Sequence, residues 1–245
     1  EDSKVKLNKV IDTLNNKGRK NLLAVSIAST TMALDPEIAQ LLKDGKLTEG
    51  LDLLAATTTS KDIAKTAKAI SAALVKDGNT KITFETNLMS PEGKLLAGTF
   101  DPKTNTIILN ADMVPTTHVL LHEALHAVTS HEIANKSSPV TRQLQQLFDD
   151  VRDRLDTAYG ATNLDEFIAE AFSNPEFQAK LASMDTKGNK LGVLERLKNI
   201  VENLIRKFRG LPFKKVESAK NAVDNLVGEM MSPAPQFRDA ARLNM

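Results

Sequence analysis

The four histidines of this 245-residue chain lie within fourteen residues of one another, at positions 118, 122, 126 and 131. The segment 122–126 reads HEALH and has the pattern H-E-x-x-H. On a helix, side chains four residues apart lie on one face, about 6 Å from each other. The imidazoles of His122 and His126 could therefore reach one zinc ion at about 2.0–2.1 Å. Glu123 would project beside them, where it could hold an acidified water and act as a general base.

The residues around this segment are typical of a buried helix. Pro115-Thr116-Thr117 is a plausible helix start, and most positions from 119 to 128 outside the motif are Val, Leu or Ala. The alternative interpretation is a surface helix that carries two unpaired histidines.

A catalytic zinc site needs a third protein ligand. His131 follows His126 by five residues, with no glycine between them. In the metzincin pattern, the third histidine follows the second by six residues, after a glycine. We therefore disfavour His131 as the third ligand. His118 lies one turn before His122, and ligands at 118, 122 and 126 of one straight helix would span about 12 Å. We expect His118 to be packed or solvated instead.

A carboxylate on a later helix is the better candidate for the third ligand. The segment 163–174 reads NLDEFIAEAFSN, and its Glu166 and Glu170 share a face of an otherwise apolar helix. Unpaired buried carboxylates are costly, so this pair suggests a metal site. Glu166 would bind zinc, and Glu170, one turn later, would orient a histidine through its free ring N–H. A solvated acidic stripe on an amphipathic helix is the alternative, and the residues alone leave both open.

The order of these motifs resembles that of the gluzincin metallopeptidases, in which a helix with HExxH is followed by a helical glutamate ligand. The closer resemblance is to the catalytic domain of anthrax lethal factor and its relatives. The segment 159–172, YGATNLDEFIAEAF, is similar to that family's stretch Y-G-x-T-N-x-x-E-F-x-A-E-A-F. The resemblance covers roughly residues 95–185, and it departs at Leu125, where the family commonly has glycine.

The resemblance implies a zinc-dependent endopeptidase with Zn²⁺ as cofactor and a protein or peptide as substrate. The implied zinc ligands are His122, His126 and Glu166, and the implied general base is Glu123. It further implies that Tyr159, the only tyrosine of the chain, stabilises the oxyanion of the tetrahedral intermediate.

A second resemblance concerns the segments GTFDPKTNTIILN and THVLLHEALHA. Both are similar to metallopeptidase-like domains in long bacteriophage virion proteins. This resemblance implies that the chain is part of a larger phage protein or virion assembly. It also keeps open a non-catalytic virion module, in which zinc only holds two helices together. A zinc hydrolase that acts on a non-protein bond is a further alternative.

The elements that must position these residues follow from the hydrophobic pattern. Residues 1–76 read as helical, and the segments 81–85, 95–100 and 106–109 predict strands of a small antiparallel sheet. The last of these, or its neighbour, would be the edge to which an extended substrate adds. Further helices are predicted near 116–130, 138–157, 163–173, 175–184, 190–208 and 216–231.

The expected fold class is therefore α+β: a mainly helical, zincin-like metallopeptidase with a small β-sheet next to the HExxH helix. The predicted organisation is an N-terminal helical region at 1–76, a zincin-like catalytic core at 77–186, and C-terminal helices with a tail at 187–245. We expect the N-terminal helices to form a separate lobe that walls the cleft.

The composition excludes several other classes of protein. The chain has no cysteine, which excludes disulfides, thiolate metal sites and cysteine nucleophiles. Its net charge of +1 lacks the excess of positive charge that is typical of nucleic-acid-binding proteins. The apolar stretch 21–34 is too short and too interrupted to span a membrane, and we interpret it as a core helix and not as a signal peptide. The expected location is cytoplasmic or virion-associated, with delivery into a host cell as a variant of the latter.

Overall fold

The computed structural model describes residues 32–208 except residue 157 and residues 185–191. This part of the chain contains eight α-helices and three β-strands. The helices are α1 (Pro36–Lys43), α2 (Leu47–Thr57), α3 (Lys61–Asp77), α4 (Thr117–Ala134), α5 (Pro139–Val151), α6 (Leu164–Ser173), α7 (Pro175–Ala182) and α8 (Val193–Phe208). The strands are β1 (Lys81–Glu85), β2 (Gly98–Asp101) and β3 (Thr106–Asn110), and two 3₁₀ turns lie at Arg152–Arg154 and Tyr159–Ala161.

The three strands form one sheet in the order β1-β3-β2. β2 pairs antiparallel with β3, as predicted, but β1 pairs parallel with β3, from Lys81↔Thr106 to Glu85↔Asn110. The prediction of an antiparallel sheet was therefore wrong for β1, and the sheet is mixed. Alternation of apolar residues shows that a segment is a strand, but it does not encode the direction of the strand's partner.

The two helices that carry the candidate site begin at side-chain caps. The hydroxyl of Thr116 accepts a hydrogen bond from the Val119 N–H at the start of α4. The side chain of Asn163 accepts one from the Glu166 N–H at the start of α6. Each cap satisfies an N–H that the helix leaves without an internal partner, so both starts are set by local sequence, within one residue of the predictions.

Helix α4 runs through the centre of the molecule. It packs against β2, β3, α3 and α6, and its leucines at 120, 121 and 125 are fully buried. Burying each such side chain contributes about 1.5–3 kcal/mol. Because α4 is apolar on most of its circumference, the polar side chains of its motif are held inside a packed core.

The hydrophobic core is one connected cluster of buried side chains from Leu34 to Ile205. The described parts of the predicted segments 1–76, 77–186 and 187–245 all contribute to it. The architecture is mainly helical with a small mixed sheet, which confirms the α+β class.

Several element predictions differ from the structure or lie beyond it. The helix predicted at 138–157 ends at Val151 and continues only as a 3₁₀ turn, and the strand predicted from residue 95 begins at Gly98. The predictions for residues 1–31, for the helix at 216–231 and for the tail lie outside the described residues. Among the helices that are described, none has the length and apolar character needed to cross a membrane.

Candidate metal centre

The structure brings His122, His126 and Glu166 together between α4 and α6. The Nε2 atoms of the two histidines are 3.1 Å apart. The Oε2 atom of Glu166 lies 3.0 Å from Nε2 of His122 and 3.6 Å from Nε2 of His126. All three side chains are largely buried, so a polar cluster that links two helices sits in an apolar surrounding.

These three separations fit the ligands of one small cation. Bonds of 2.0–2.1 Å at tetrahedral angles place neighbouring ligand atoms about 3.3 Å apart. The Oε2 atom of Glu166 is buried and makes no hydrogen bond of acceptable geometry among the described residues. The three atoms therefore lie at the mutual distances of ligands around a common point, and the group could hold a metal ion.

Glu170 lies on the other side of His122. Its Oε1 atom is 3.3 Å from Nδ1 of His122, and its Oε2 atom accepts a hydrogen bond of 2.7 Å from the Asn174 side chain. This is the place expected of a carboxylate that orients a metal-binding histidine, although Nδ1 of His122 makes no hydrogen bond of acceptable geometry among the described residues. The acidic-stripe alternative does not fit Glu170, because the side chain is only 7% exposed.

His118 also reaches this second carboxylate. Its Nε2 atom is 3.5 Å from Oε1 of Glu170, and its ring packs edge-on to that of His122 at 5.5 Å between centroids. The ligand atoms of His118, His122 and Glu170 are near enough to one another to form a second group that could hold a cation. His131 lies at the far end of α4 and is exposed.

The electrostatics of the cluster are dominated by one buried ion pair. Burial acts to lower the pKa of His122, but the contacts with Glu166 and Glu170 outweigh it and raise that pKa to about 9. For Glu166, burial acts in the opposite direction, yet the contacts with His122 and His126 lower its pKa to about 2. In the protein alone, the His122–Glu166 pair is therefore charged over a wide range of pH.

Glu123 lies against β2, at the edge of the sheet. Burial raises the pKa of Glu123. The charges of His122 and His126 and a hydrogen bond with the backbone of Phe100 act to lower it, but burial outweighs them. A carboxyl group whose pKa is raised in this way is suited to accept and return a proton.

The approach of Glu123 to the sheet depends on Gly98 in β2. A Cβ atom at position 98 would lie 2.9 Å from Cγ1 of Val119 and 3.1 Å from Cγ of Glu123. Sequence reasoning did not single out Gly98. A glycine inside a strand pattern often marks such a close approach, and this was the available signal.

Tyr159 stands at the rim of the cluster, in the second 3₁₀ turn. Its ring centroid is 6.1 Å from that of His122, and the side chain is 60% exposed. Burial, the charge of Glu166 and a hydrogen bond with Glu166 raise the pKa of Tyr159 to about 12. The phenol therefore keeps its proton at neutral pH and can act as a hydrogen-bond donor.

The position of Tyr159 is tied to its neighbour, Gly160. A Cβ atom at position 160 would lie 2.5 Å from Cζ of Phe177 on α7. The turn can therefore sit against this ring only because residue 160 has no side chain.

Asp165 is a further group that sequence reasoning did not single out. Its Oδ1 atom is buried and has no hydrogen-bond partner among the described residues. Burial raises the pKa of this side chain, although the charges of His126 and Lys136 act to lower it. Its place directly before Glu166 in an apolar helix was the available signal.

A cleft of about 1100 Å³ opens beside the cluster. It is bounded by β2, by the last turn of α3 and by the C-terminal half of α4. Its walls include Leu74, Phe100 and Val128, and His131 and Lys136 lie at its border. Of the N-terminal helices, α3 lines the cleft, and its buried side chains belong to the same core cluster as those of α4 and α6.

The outer edge of β2 borders this cleft. The Asn110 N–H donates a hydrogen bond to the Ala97 carbonyl. Along an antiparallel pair of strands, residue pairs that are hydrogen-bonded to each other alternate with pairs that are not. The next hydrogen-bonded pair is therefore Thr99↔Ile108. The backbone groups of Gly98 and Phe100 therefore face away from β3. Of the two strands named as candidates for the substrate-binding edge, the segment 106–109 is the central strand β3, so the edge beside the cleft is its neighbour β2.

Comparisons of this chain with protein-family models, with curated proteins and with solved structures found no match. What the centre does must therefore be argued from its own geometry. Leu125, which stands where the resembled family commonly has glycine, is fully buried within α4, so this departure leaves the helix and the spacing of its histidines intact.

Proposed function

We propose that this chain is a zinc-dependent metalloendopeptidase of the gluzincin type, similar to the catalytic domain of anthrax lethal factor. The observation that carries the proposal is the convergence of three buried ligand atoms from His122, His126 and Glu166, at 3.0–3.6 Å from one another. A buried carboxylate, Glu123, lies directly beside them.

The donor set favours zinc among the common metal ions. Two imidazole nitrogens and one carboxylate oxygen leave a fourth position free, which is the arrangement of catalytic zinc sites. When bound, the ion would polarise a peptide carbonyl and make a water molecule more acidic.

Glu123 is the proposed general base. It would take a proton from the attacking water and pass it to the nitrogen of the leaving amine. Its buried position raises its pKa toward the range in which a carboxyl group can both accept and release a proton.

Tyr159 is the proposed donor to the oxyanion. Its hydroxyl lies next to Glu166 and stays protonated, so it can donate a hydrogen bond to an oxygen that develops negative charge. A donor of this kind typically lowers the barrier by about 3 kcal/mol.

The proposed substrate is an extended segment of a protein. Because the outer edge of β2 borders the cleft and the backbone groups of Gly98 face away from β3, a peptide could add to this edge as a further strand, while its side chains enter the cleft. The proposed setting is a phage particle or a larger phage protein, as the second resemblance implies.

Metal content tests the centre first. We expect about one zinc per wild-type chain by mass spectrometry, sharply reduced in Glu166→Ala. A wild-type chain that takes up no zinc even after incubation with the ion would refute the proposed centre. Full retention of zinc by the variant would remove Glu166 from the ligand set.

Hydrolysis tests the activity. We expect the wild-type chain to cleave an unstructured protein into a mixture of peptides, and Glu123→Gln to lose at least about 100-fold in rate while it retains zinc. Glu176→Gln, at an exposed position of α7, is the matched control and should remain active. Zinc binding without cleavage by the wild type would support the non-catalytic module, and cleavage of small esters or amides alone would support a hydrolase of another class.

A further inference from the structure

The Glu170 carboxylate is held from three sides. Its Oε1 atom lies 3.3 Å from Nδ1 of His122 and 3.5 Å from Nε2 of His118, and its Oε2 atom accepts the 2.7 Å hydrogen bond from Asn174. The residue as a whole is only 5% exposed. Each oxygen of the carboxylate thus has at least one polar neighbour, and Oε2 is held by a hydrogen bond.

Glu170 lies where it could orient the ring of His122. When Nε2 of a histidine binds a metal, Nδ1 carries the remaining proton and donates it to a partner that fixes the ring. The Glu170 carboxylate lies on the Nδ1 side of His122, at 3.3 Å, although Nδ1 makes no hydrogen bond of acceptable geometry among the described residues. A carboxylate free to rotate would hold this ring less well.

His118 is placed to prevent that rotation. It lies one turn before His122 on α4, so it approaches Glu170 from the same helix as the ring that Glu170 must orient. The side-chain amide of Asn174 donates to the other oxygen, and its Oδ1 atom caps α7 by accepting from the N–H groups of Glu176 and Phe177. The carboxylate is therefore fixed between α4 and the junction of α6 with α7.

The same three groups could instead form a second cation site, but the chemistry of His122 argues against it. A second ion at Nδ1, together with the first at Nε2, would require the ring to lose both of its N–H protons. Donation of a hydrogen bond to Glu170 requires only the ordinary neutral ring.

We propose that His118 is a positioning residue of the metal centre: it holds Glu170 in the place from which Glu170 orients His122. The proposal rests on the proposed metal centre and goes beyond it. It assigns to a third histidine a role that neither the H-E-x-x-H spacing nor the family resemblance implies.

The test is a zinc titration of the full, metal-stripped chain against a competing chelator. The side chain of Gln reaches about as far as that of His and keeps an N–H donor, whereas Leu is of similar size and has none. We expect His118→Leu to weaken zinc binding roughly 3- to 10-fold, less than the 10- to 100-fold typical of a direct partner of a ligand. His118→Gln should stay within about twofold of wild type. His131→Leu, at the exposed histidine of the same helix, is the matched control and should leave the affinity unchanged.

A double-mutant cycle separates positioning from a general effect on the fold. In a Glu170→Gln background, the His118→Leu substitution should change zinc affinity by less than twofold, because the group it acts through is gone. Equal losses in both backgrounds, or a loss in His118→Gln as large as in His118→Leu, would overturn the proposal. Two zinc ions per wild-type chain, reduced to one in His118→Leu, would also overturn it, in favour of a second cation site. Failure of the wild type to bind zinc would refute the proposed centre itself, whereas normal binding by His118→Leu would refute only the role of His118.

Discussion

At the scale of single residues, the centre is a set of buried ionisable side chains whose protonation depends on one another. His122 and Glu166 stabilise each other's charged forms, and Glu170 adds a second negative charge beside His122. A cation that binds between His122 and Glu166 must therefore displace a proton, and this links metal affinity to pH.

Zinc affinity should rise with pH up to about pH 9. Below its pKa of about 9, His122 carries the proton that a metal must displace, so the affinity for zinc falls with each unit of decrease in pH. Glu166, whose pKa is about 2, stays ionised throughout this range. With one proton released, the apparent affinity should be about 100-fold higher at pH 8 than at pH 6. Competition with a chelator of known pH dependence measures this, and equal affinity at the two pH values would contradict it.

Substitution of Tyr159 by Phe should impair turnover and spare metal binding. The variant loses only the hydroxyl that is proposed to donate to the oxyanion. The expected loss is about 100-fold in kcat, with zinc content as in wild type. Loss of zinc together with activity would show instead that Tyr159 acts through its contact with Glu166.

At the scale of elements, the centre depends on how closely β2 approaches α4. Val119 and Glu123 on the helix leave no room for a side chain at position 98. The mixed sheet makes this contact possible, because β3 is central and β2 remains an edge strand beside the helix. The strand whose outer edge borders the cleft is thus the one that packs against Glu123, the proposed general base.

Gly98→Ala should separate this edge from the helix. The added methyl group would overpack the contact and cost about 1–3 kcal/mol of stability. It would also displace Glu123, for which we expect a loss of about 10- to 100-fold in kcat. Chemical denaturation and peptide hydrolysis measure the two effects.

Gly192→Ala is the control for this substitution. A Cβ atom at position 192 would come no closer than 3.7 Å to its nearest neighbour, the carbonyl oxygen of Met184. This variant should match wild type in both assays. Full activity of Gly98→Ala would show that the position of β2 does not determine that of Glu123.

At the scale of the whole molecule, the metal centre joins two helices that are distant in sequence. α4 contributes two candidate ligands and α6 contributes the third, and both helices belong to the single core cluster. A cation bound between them would bind the folded chain and not the unfolded one, so it should stabilise the entire fold.

Removal of metal should therefore lower the melting temperature. At a free zinc concentration 100 times the Kd, binding adds about 2.7 kcal/mol, which corresponds to roughly 5–10 °C for a chain of this size. Differential scanning calorimetry with zinc and with a chelator measures the shift. The shift should disappear in Glu166→Ala, and its persistence there would place the stabilising ion elsewhere.

Local spacing made much of the centre predictable. His122 and His126, like Glu166 and Glu170, are four residues apart on helices with clear apolar faces and capping residues at their starts. The 3.6-residue repeat of a helix then dictates that each pair shares a face. The mainly helical architecture follows from the same periodicity, and so do the segments that form strands.

Other features depend on which faces meet, and this is a property of the packed molecule. The contact between His122 and Glu166 joins residues 44 positions apart, and it arises because α4 and α6 bury their apolar faces against each other. The parallel pairing of β1, the close approach at Gly98 and the reach of His118 to Glu170 have the same origin. Periodicity along one segment carries no information about the partner, direction or distance of another, and these are decided when the apolar faces are removed from water together.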